Sequence, residues 1–252
     1  MIEELKNLIL QTERFFQSKE NIKLLNPVEK RESVTKLDIE IEDFLIENLK
    51  NIEPGAGFLS EERGENRGKN NKFWIIDPID STNNFLLNIP FFSVSIAYCK
   101  KNIVEIGLCY FPRLKELFYA QRGKGAFLNN KTIRVSEKDK LKNSLLLYDN
   151  QFYKTELTFT NLKKIVNEFF TVRISGCASF DICMVASGRA EARIFNDTKP
   201  MDFIPGSIIL EEAGGKISNF DGNYPDFKDT KIICSNNLIH ENILNILKKD
   251  DR

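Results

Sequence analysis

Between positions 72 and 85 a short run of bulky apolar residues, KFWIID, breaks directly into PIDSTNNF. The run has the length and composition of a buried strand, and the polar residues after it can cap and begin a helix, with Asp80 or Ser81 as the N-cap candidate. Asp77 and Asp80 bracket Pro78 and Ile79 where the strand runs out, so both carboxylates and the carbonyl between them can converge on one point. Oxygen donors of this kind suit a hard cation such as magnesium, which keeps several waters and needs few protein ligands. The same helix start exposes the backbone N–H groups of Ser81 and Thr82, an anion site suited to a phosphate. The plain alternative is that Asp77 ends a strand and Asp80 caps a helix.

Composition narrows the chemistry. His240 is the single histidine of the 252 residues. It stands in LIHENILNIL, whose Ile239, Ile243 and Leu247 recur at helical spacing, and reads as a helix-face residue. A Ser-His-Asp triad or a zinc site needing two imidazoles is argued against, which leaves carboxylates, hydroxyls or metals to do any catalysis. Thirty-six Lys and Arg balance thirty-six Asp and Glu, so neither direct nucleic-acid binding nor an anionic membrane surface is expected. No stretch reaches the roughly 18 apolar residues of a membrane span, and MIEELKNLIL lacks the basic flank and apolar run of a secretory signal. Cys99, Cys109, Cys177, Cys183 and Cys234 are odd in number and form no C-x-x-C, which points to reduced, buried thiols in a cytoplasmic protein.

The pattern along the chain predicts an amphipathic helix over residues 2–22, a mobile loop at NPVEKRES and a second helix from Asp38 to Leu49. GFLS reads as a strand and EERGENRGKNN as an exposed loop. FFSVSIAYC, NIVEIGLCYFP and KELFYA then read as consecutive strands of an antiparallel meander. The second part alternates: SLLLYD, TVRIS, AEARIF, GKISNF and TKIICS as strands, with helices at TELTFTNLKKIVNEFF, SFDICMVASG, DFIPGSIILEEAGG and the C-terminal run. Two halves are expected, residues 1–140 as an N-terminal α+β half and residues 141–252 as a C-terminal α/β half.

Three ordered segments carry a resemblance. WIIDPIDSTNNF resembles the D-P-I-D-G-T-x-N-F signature of the inositol monophosphatase family, FLSEERGE its upstream G-E-E-S element, and MDFIPGSIILEEAGG its downstream W-D-x-A element ending in E-A-G-G. VTKLD, GKGAFLNN and ISGCASFDICMVASGRAEA are similar to further family segments, so the resemblance spans about residues 30–236. It implies an α+β fold, a layered αβαβα sandwich of the sugar phosphatase type, and a magnesium-dependent phosphomonoesterase acting on a small sugar or cyclitol phosphate. A homodimer and lithium sensitivity are implied with it.

Carried over residue by residue, the resemblance makes Glu61, Asp77, the Ile79 carbonyl, Asp80 and Asp202 magnesium ligands. Thr82 with Asp38 becomes the pair that orients and deprotonates the attacking water. Ser81, Thr82, Gly176, Cys177 and Phe195 fall in the phosphate and substrate pocket. Two ions can stabilise both the attacking and the leaving oxygen of an in-line displacement, so no histidine is needed. Without metal so many carboxylates would repel a phosphate, and activity should depend strictly on a divalent cation. Local alternatives stay open: Glu61 and Glu62 as a solvated loop tip, Asp202 as a helix N-cap, Asp38 as a favourable charge at a helix start, and Lys30 or Arg31 as loop charges near substrate or on the surface.

Departures from the family pattern bear on substrate. Ser81 stands where glycine is usual, which is tolerable if its φ is negative. Met201 replaces the usual tryptophan and leaves the ligand beside it in place. Phe195 stands where inositol-hydrolysing members carry a Glu that binds sugar hydroxyls, and a phenyl ring accepts no hydrogen bonds. Asn196, Asp197 or Lys199 could substitute. Arg173, Arg193 and Lys199 could serve a second phosphate or be surface charges. Rival functions are a 3′(2′),5′-bisphosphate nucleotidase, a fructose-1,6-bisphosphatase, and a regulatory binding protein that keeps the phosphatase fold.

Overall fold

The computed structural model describes residues 1–17, 35–66, 68 and 71–248. The NPVEKRES loop, Lys30, Arg31 and the last part of the predicted first helix lie outside them. Helix α1 is Ile2–Gln11, followed by a 3-10 turn at Thr12–Phe16. Thr12 Oγ1 donates back to the Ile9 carbonyl at 2.6 Å, a back-bond that competes with regular helix hydrogen bonding. Helix α2, Lys36–Ile52, starts two residues before the predicted Asp38 because Thr35 caps it. Thr35 Oγ1 accepts from Leu37 N and Asp38 N, and Asp38 Oδ2 accepts from Thr35 N at 2.7 Å, a reciprocal capping box.

The first sheet has eight strands in the order β2-β1-β3-β4-β5-β6-β7-β8. They are β1 Gly57–Ser60, β2 Gly64–Asn66, β3 Lys72–Asp80, β4 Ser93–Lys100, β5 Ile103–Phe111, β6 Glu116–Gln121, β7 Ala126–Leu128 and β8 Lys131–Thr132, with the short helix α3, Thr82–Leu86, after β3. The predicted meander is present from β3 onward, while β1 joins β3 in parallel. Within the stretch expected to be an exposed loop, β2 turns back antiparallel on β1. All its side chains are exposed, so no apolar pattern announced it. Strand β3 runs three residues past KFWIID, through Pro78, because a bulge accommodates the proline.

The second sheet runs β10-β9-β11-β13-β12. Its strands are β9 Leu145–Leu147, β10 Thr171–Arg173, β11 Ala192–Phe195, β12 Lys216–Asn219 and β13 Ile232–Ser235. Interleaved are α4 Glu156–Ile165, α5 Ala178–Ala186, α6 Pro200–Glu212 and α7 His240–Leu247. Three apolar cores define five layers. Helices α1 and α2 cover the outer face of the first sheet through Leu5, Ile41, Leu45, Trp74 and Ile96. Helices α5 and α6 fill the space between the sheets through Ile182, Phe203, Ile208 and Cys234. Helices α4 and α7 close the far face through Ile165, Ile194, Ile233 and Ile243. The architecture is the expected αβαβα sandwich.

Close approach fixes α6. A Cβ on Gly107 of β5 would lie 2.3 Å from the Pro205 carbonyl oxygen, and one on Gly206 would lie 2.9 Å from Ile182 Cγ2. Helix α6 is thereby held close against β5 and α5. His240 opens α7 fully buried, each ring nitrogen 2.8 Å from a serine hydroxyl, Ser218 and Ser235. Burial pushes it down to about 4, so it packs as a neutral residue. All five cysteines are free and buried, and no helix among the described residues is long and apolar enough to cross a membrane.

Candidate active site

Strand geometry explains how Asp77 and Asp80 come together. Residues three apart on a regular strand point to opposite faces. Pairing with β4 shifts from Asp77–Ser95 to Asp80–Ser93, so one extra residue is inserted and the two carboxylates share a face. Both line a cavity of about 840 Å³. The turn after β1 adds Glu61 and Glu62 to its wall, α6 adds Asp202, and Ile79, Ser81, Thr82, Gly176 and Phe195 line it too, whereas Asp38 and Cys177 of the predicted set do not. Residues from four separate stretches of sequence thus meet at one place.

Each acid is held differently. Asp77 is almost fully buried and its Oδ1 has no hydrogen-bond partner among the described residues. Burial, followed by the Glu61, Asp80 and Asp202 carboxylates, pushes Asp77 well above the usual carboxylate range. Asp80 Oδ2 accepts from Ser179 N at 2.7 Å and from the Ser179 hydroxyl. Asp202 is the third residue of α6, not its N-cap; Pro200 opens the helix and Asp202 Oδ2 accepts from Lys199 N at 2.8 Å and Thr198 Oγ1 at 2.9 Å. Loss of solvent, then Asp80, pushes Asp202 up to about 6. Glu61 and Glu62 are each pushed up to about 7, first by desolvation and then by Asp202 for Glu61 and by Asp38 for Glu62. Lys199 Nζ, 3.4 Å from Glu61 Oε1, partly offsets this.

Thr82 Oγ1 lies 3.0 Å from Asp38 Oδ1 and 3.1 Å from the Ile79 carbonyl oxygen. Asp38 sits behind it, buried, its second oxygen spent on the capping box. Ser81 adopts φ 72° and ψ 56°, the left-handed region, and neither it nor Asp80 caps α3 with a side chain. The condition of a negative φ is therefore not met. Its hydroxyl donates to the Gly176 carbonyl at 2.7 Å. Cys177 is fully buried behind the cavity wall, with Sγ 3.2 Å from Asp80 Oδ2. It touches the acid, whereas Gly176 beside it lines the cavity.

Phe195 is only 2% exposed and its ring lies 4.2 Å from the Arg193 guanidinium carbon. Asn196 is committed inward, donating to Tyr148 OH and accepting from Asn161, so it cannot replace a missing sugar-binding acceptor. Asp197 and Lys199 do line the cavity. Arg193 is buried in the wall, whereas Arg173 is exposed and outside the lining.

Sequence reasoning missed Glu42, Ser179 and Asp181. Glu42, fully buried on α2, accepts from Ser60 Oγ at 2.6 Å, Glu62 N at 3.1 Å and Arg63 N at 2.9 Å, fixing the Glu61 turn. It lies one helical turn after Asp38, on the same face, and that spacing was the available signal. Asp181, alone among apolar residues in α5, and Arg193, alone in ARIF, form a buried ion pair at 3.3 Å.

The donor chemistry fits a hard divalent cation. All the converging groups are oxygens, they repel one another, and the buried Asp77 oxygen lacks any proton donor. As placed, no three His, Cys, Asp or Glu side chains among the described residues form a group that could hold a metal ion, so binding would require side-chain rotation.

A five-layered sandwich with an acidic cavity at the end of a bulged strand defines a protein of the sugar phosphatase fold. The model of the inositol monophosphatase family matches residues 5–251, and the chain belongs to that family. An inositol-1-monophosphatase of Mesorhizobium japonicum is 32% identical over 226 residues, covering 86% of this chain and 83% of that protein. A Nus factor SuhB of Haemophilus influenzae is 34% identical over 219 residues, covering 85% and 82%. The crystal structure of the extragenic suppressor protein suhB from Bartonella henselae superposes with a TM-score of 0.91 at 28% identity, covering 99% of each chain.

Proposed function

We propose that this chain is a magnesium-dependent phosphomonoesterase that hydrolyses a small sugar or cyclitol phosphate. The observation that carries this reading is the convergence of Glu61, Asp77, the Ile79 carbonyl, Asp80 and Asp202 on one cavity, with an unpartnered Asp77 oxygen at its floor. These residues would hold the cation. When bound, a divalent ion supplies positive charge that lowers the pKa of water and stabilises oxyanions. Thr82 donates its hydroxyl proton to Asp38 or to the Ile79 carbonyl, which leaves its lone pairs free to accept a proton from water and aim it. The backbone N–H groups of Ser81 and Thr82, with the turn at Gly176, would hold the phosphoryl oxygens; all three residues line the cavity. We further infer a homodimer in a reducing cytoplasm, on the family resemblance and on five unpaired thiols.

The test is phosphate release by the purified protein with and without magnesium, across inositol 1-phosphate, fructose 1,6-bisphosphate, glycerol phosphates and 3′-phosphoadenosine 5′-phosphate. Magnesium-dependent release is expected, and Asp77→Asn should abolish it. Near-wild-type release by that variant would overturn the ligand assignment. Inactivity on every compound despite bound metal would favour the regulatory reading, which the likeness to a chain named as a Nus factor supports.

A further inference from the structure

The turn at residues 175–177 follows β10, the edge strand of the second sheet, and three separate groups hold it. Gly176 takes φ 76° and lines the cavity. Its carbonyl accepts from the Ser81 hydroxyl at 2.7 Å, and the Ser175 carbonyl accepts from Asn84 Nδ2 of α3 at 3.0 Å. The third hold comes from behind. Ser175 Oγ accepts from Cys177 N at 3.0 Å and donates to Asp181 Oδ1 at 2.6 Å, so one hydroxyl closes the turn and ties it to the first turn of α5.

Asp181 is fully buried, and the cation that faces it comes from β11, where Arg193 Nη1 lies 3.3 Å from Asp181 Oδ2. Arg193 Nε and Nη1 are sealed from solvent, and the Phe195 ring covers the guanidinium at 4.2 Å. The charge is thereby directed at Asp181. Burial pushes Asp181 up to about 7, and Arg193, then the Ser175 hydroxyl, work against this. Two charges taken out of water seldom return their desolvation as stability, and apolar residues of similar size usually serve a fold as well or better. What the pair does supply is direction: a carboxylate fixed in one place accepts a short, charge-assisted bond from one hydroxyl, stronger than a bond between neutral groups. That hydroxyl is the one that closes the turn at Gly176.

We propose that Ser175 and Asp181, the latter held by Arg193, are positioning residues that brace the Gly176 turn from behind, so that the turn meets the phosphoryl oxygens of the substrate. This rests on the phosphatase reading above for what the turn binds. Ser175 and Asp181 do not line the cavity; they act through the backbone of Gly176 and Cys177. The buried pair is therefore a device for phosphate affinity, while the fold itself can do without it.

The experiment measures by calorimetry the dissociation constants of magnesium alone and of inorganic phosphate in saturating magnesium. Two variants break the brace at different places: Ser175→Ala removes the hydroxyl and keeps the ion pair, and Asp181→Leu/Arg193→Met replaces the pair by apolar side chains, which leaves no buried charge unmatched. Each should weaken phosphate about tenfold, the worth of one charge-assisted hydrogen bond, and leave magnesium affinity unchanged. Because both act through the same turn, combining them should cost no more than either alone, whereas independent sites would multiply to about a hundredfold. Either variant alone decides if the other does not fold. Thr12→Ala, which loses a buried hydroxyl bonded to the Ile9 carbonyl of α1, controls for general destabilisation and should leave phosphate affinity as it is. Unchanged phosphate affinity in Ser175→Ala or in the double variant, a parallel loss of magnesium affinity, a multiplied loss in the combination, or a wild type that binds no phosphate each overturns the proposal. A purely structural ion pair would change urea stability and leave the phosphate constant unmoved. Turnover is followed separately: phosphate affinity that responds as expected without any magnesium-dependent release would sink the phosphatase reading and leave the brace standing, and release with an unresponsive phosphate constant would do the reverse.

Discussion

Replacing Ser81 by glycine and by alanine separates two opposing contributions at the mouth of the cavity. Ser81 holds φ 72° and ψ 56°, a conformation in which a Cβ crowds the neighbouring carbonyl at about 1–2 kcal/mol. Its hydroxyl donates to the Gly176 carbonyl at 2.7 Å, a bond contributing about 1 kcal/mol. Alanine keeps the crowded Cβ and loses the bond, so Ser81→Ala should destabilise by about 1 kcal/mol. Glycine also loses the bond but relieves the crowding, against about 0.4–1 kcal/mol of added freedom in the unfolded chain. Ser81→Gly should therefore be close to neutral, and more stable than Ser81→Ala by about 0.5–1 kcal/mol.

Urea unfolding of the three proteins in EDTA reads this difference without a contribution from bound ions, provided m is unchanged. The two variants should also differ by about 1–4 °C in Tm. Alanine equal to or more stable than glycine would refute the left-handed backbone at position 81. The same result would remove the reason to regard this serine as a strained substitute for glycine beside the phosphate site.

Stability should also follow the acidic cluster. Glu61 and Glu62 are pushed up to about 7 and Asp202 to about 6, so between about pH 4 and 7 the folded chain binds more protons than the unfolded one, and stability falls as pH rises. His240, pushed down to about 4, acts in the opposite sense below about pH 6.5 but is one group against these three and the likewise raised Asp77 and Asp181. In EDTA the Tm at pH 5.5 should exceed that at pH 7.5, and magnesium should raise the Tm more at pH 7.5; the reverse order in either measurement would contradict the cluster's electrostatics. Glu42→Ala would leave Ser60 Oγ, Glu62 N and Arg63 N without their acceptor, a loss of about 3 kcal/mol by urea unfolding, together with weaker magnesium binding by calorimetry. Phe195→Glu should raise phosphate release from inositol 1-phosphate; unchanged release would show that pocket polarity is not what excludes it.

Much of the architecture was legible because it rests on periodicity. Short apolar runs mark β4, β5 and β6, and the helical spacing of Ile41, Phe44, Leu45 and Leu49 marks α2. What escaped depends on partners distant in sequence. The carboxylates Asp77 and Asp80 could be singled out locally, yet their common orientation depends on a register shift against β4. Strand β2 carries Gly64, Glu65 and Asn66, all exposed, and its pairing comes from the neighbouring strand's unpaired edge instead of any apolar pattern. Cys177 fell inside a family segment, but only the packing of α5 under Asp80 shows that its thiol faces the acid. Arg193 and Asp181 were visible as solitary charges in apolar runs, and a charge so placed needs a partner. Which partner, and that both would border the cavity, followed only once α5 and β11 were in contact.

Departures from local rules concentrate around the cavity. Ser81 is left-handed, Asp77 has an oxygen without a donor, three neighbouring acids are pushed far above their ordinary range, and Arg193 keeps unmatched donors. Each is unfavourable alone, and a looser scaffold would relax by moving the backbone segments that carry the acids apart. The layered packing prevents this. Gly107 and Gly206 let α6 sit so close to β5 and α5 that a single added Cβ would collide with the Pro205 carbonyl at 2.3 Å or with Ile182 at 2.9 Å. Asp202 is carried on that helix, Asp80 is tied to Ser179 of α5, and Glu61 is tied through its turn to Glu42 of α2. The acids are thus anchored to three helices that cannot separate without opening an apolar core. Repulsion among them is stored until a cation, or a proton, relieves it.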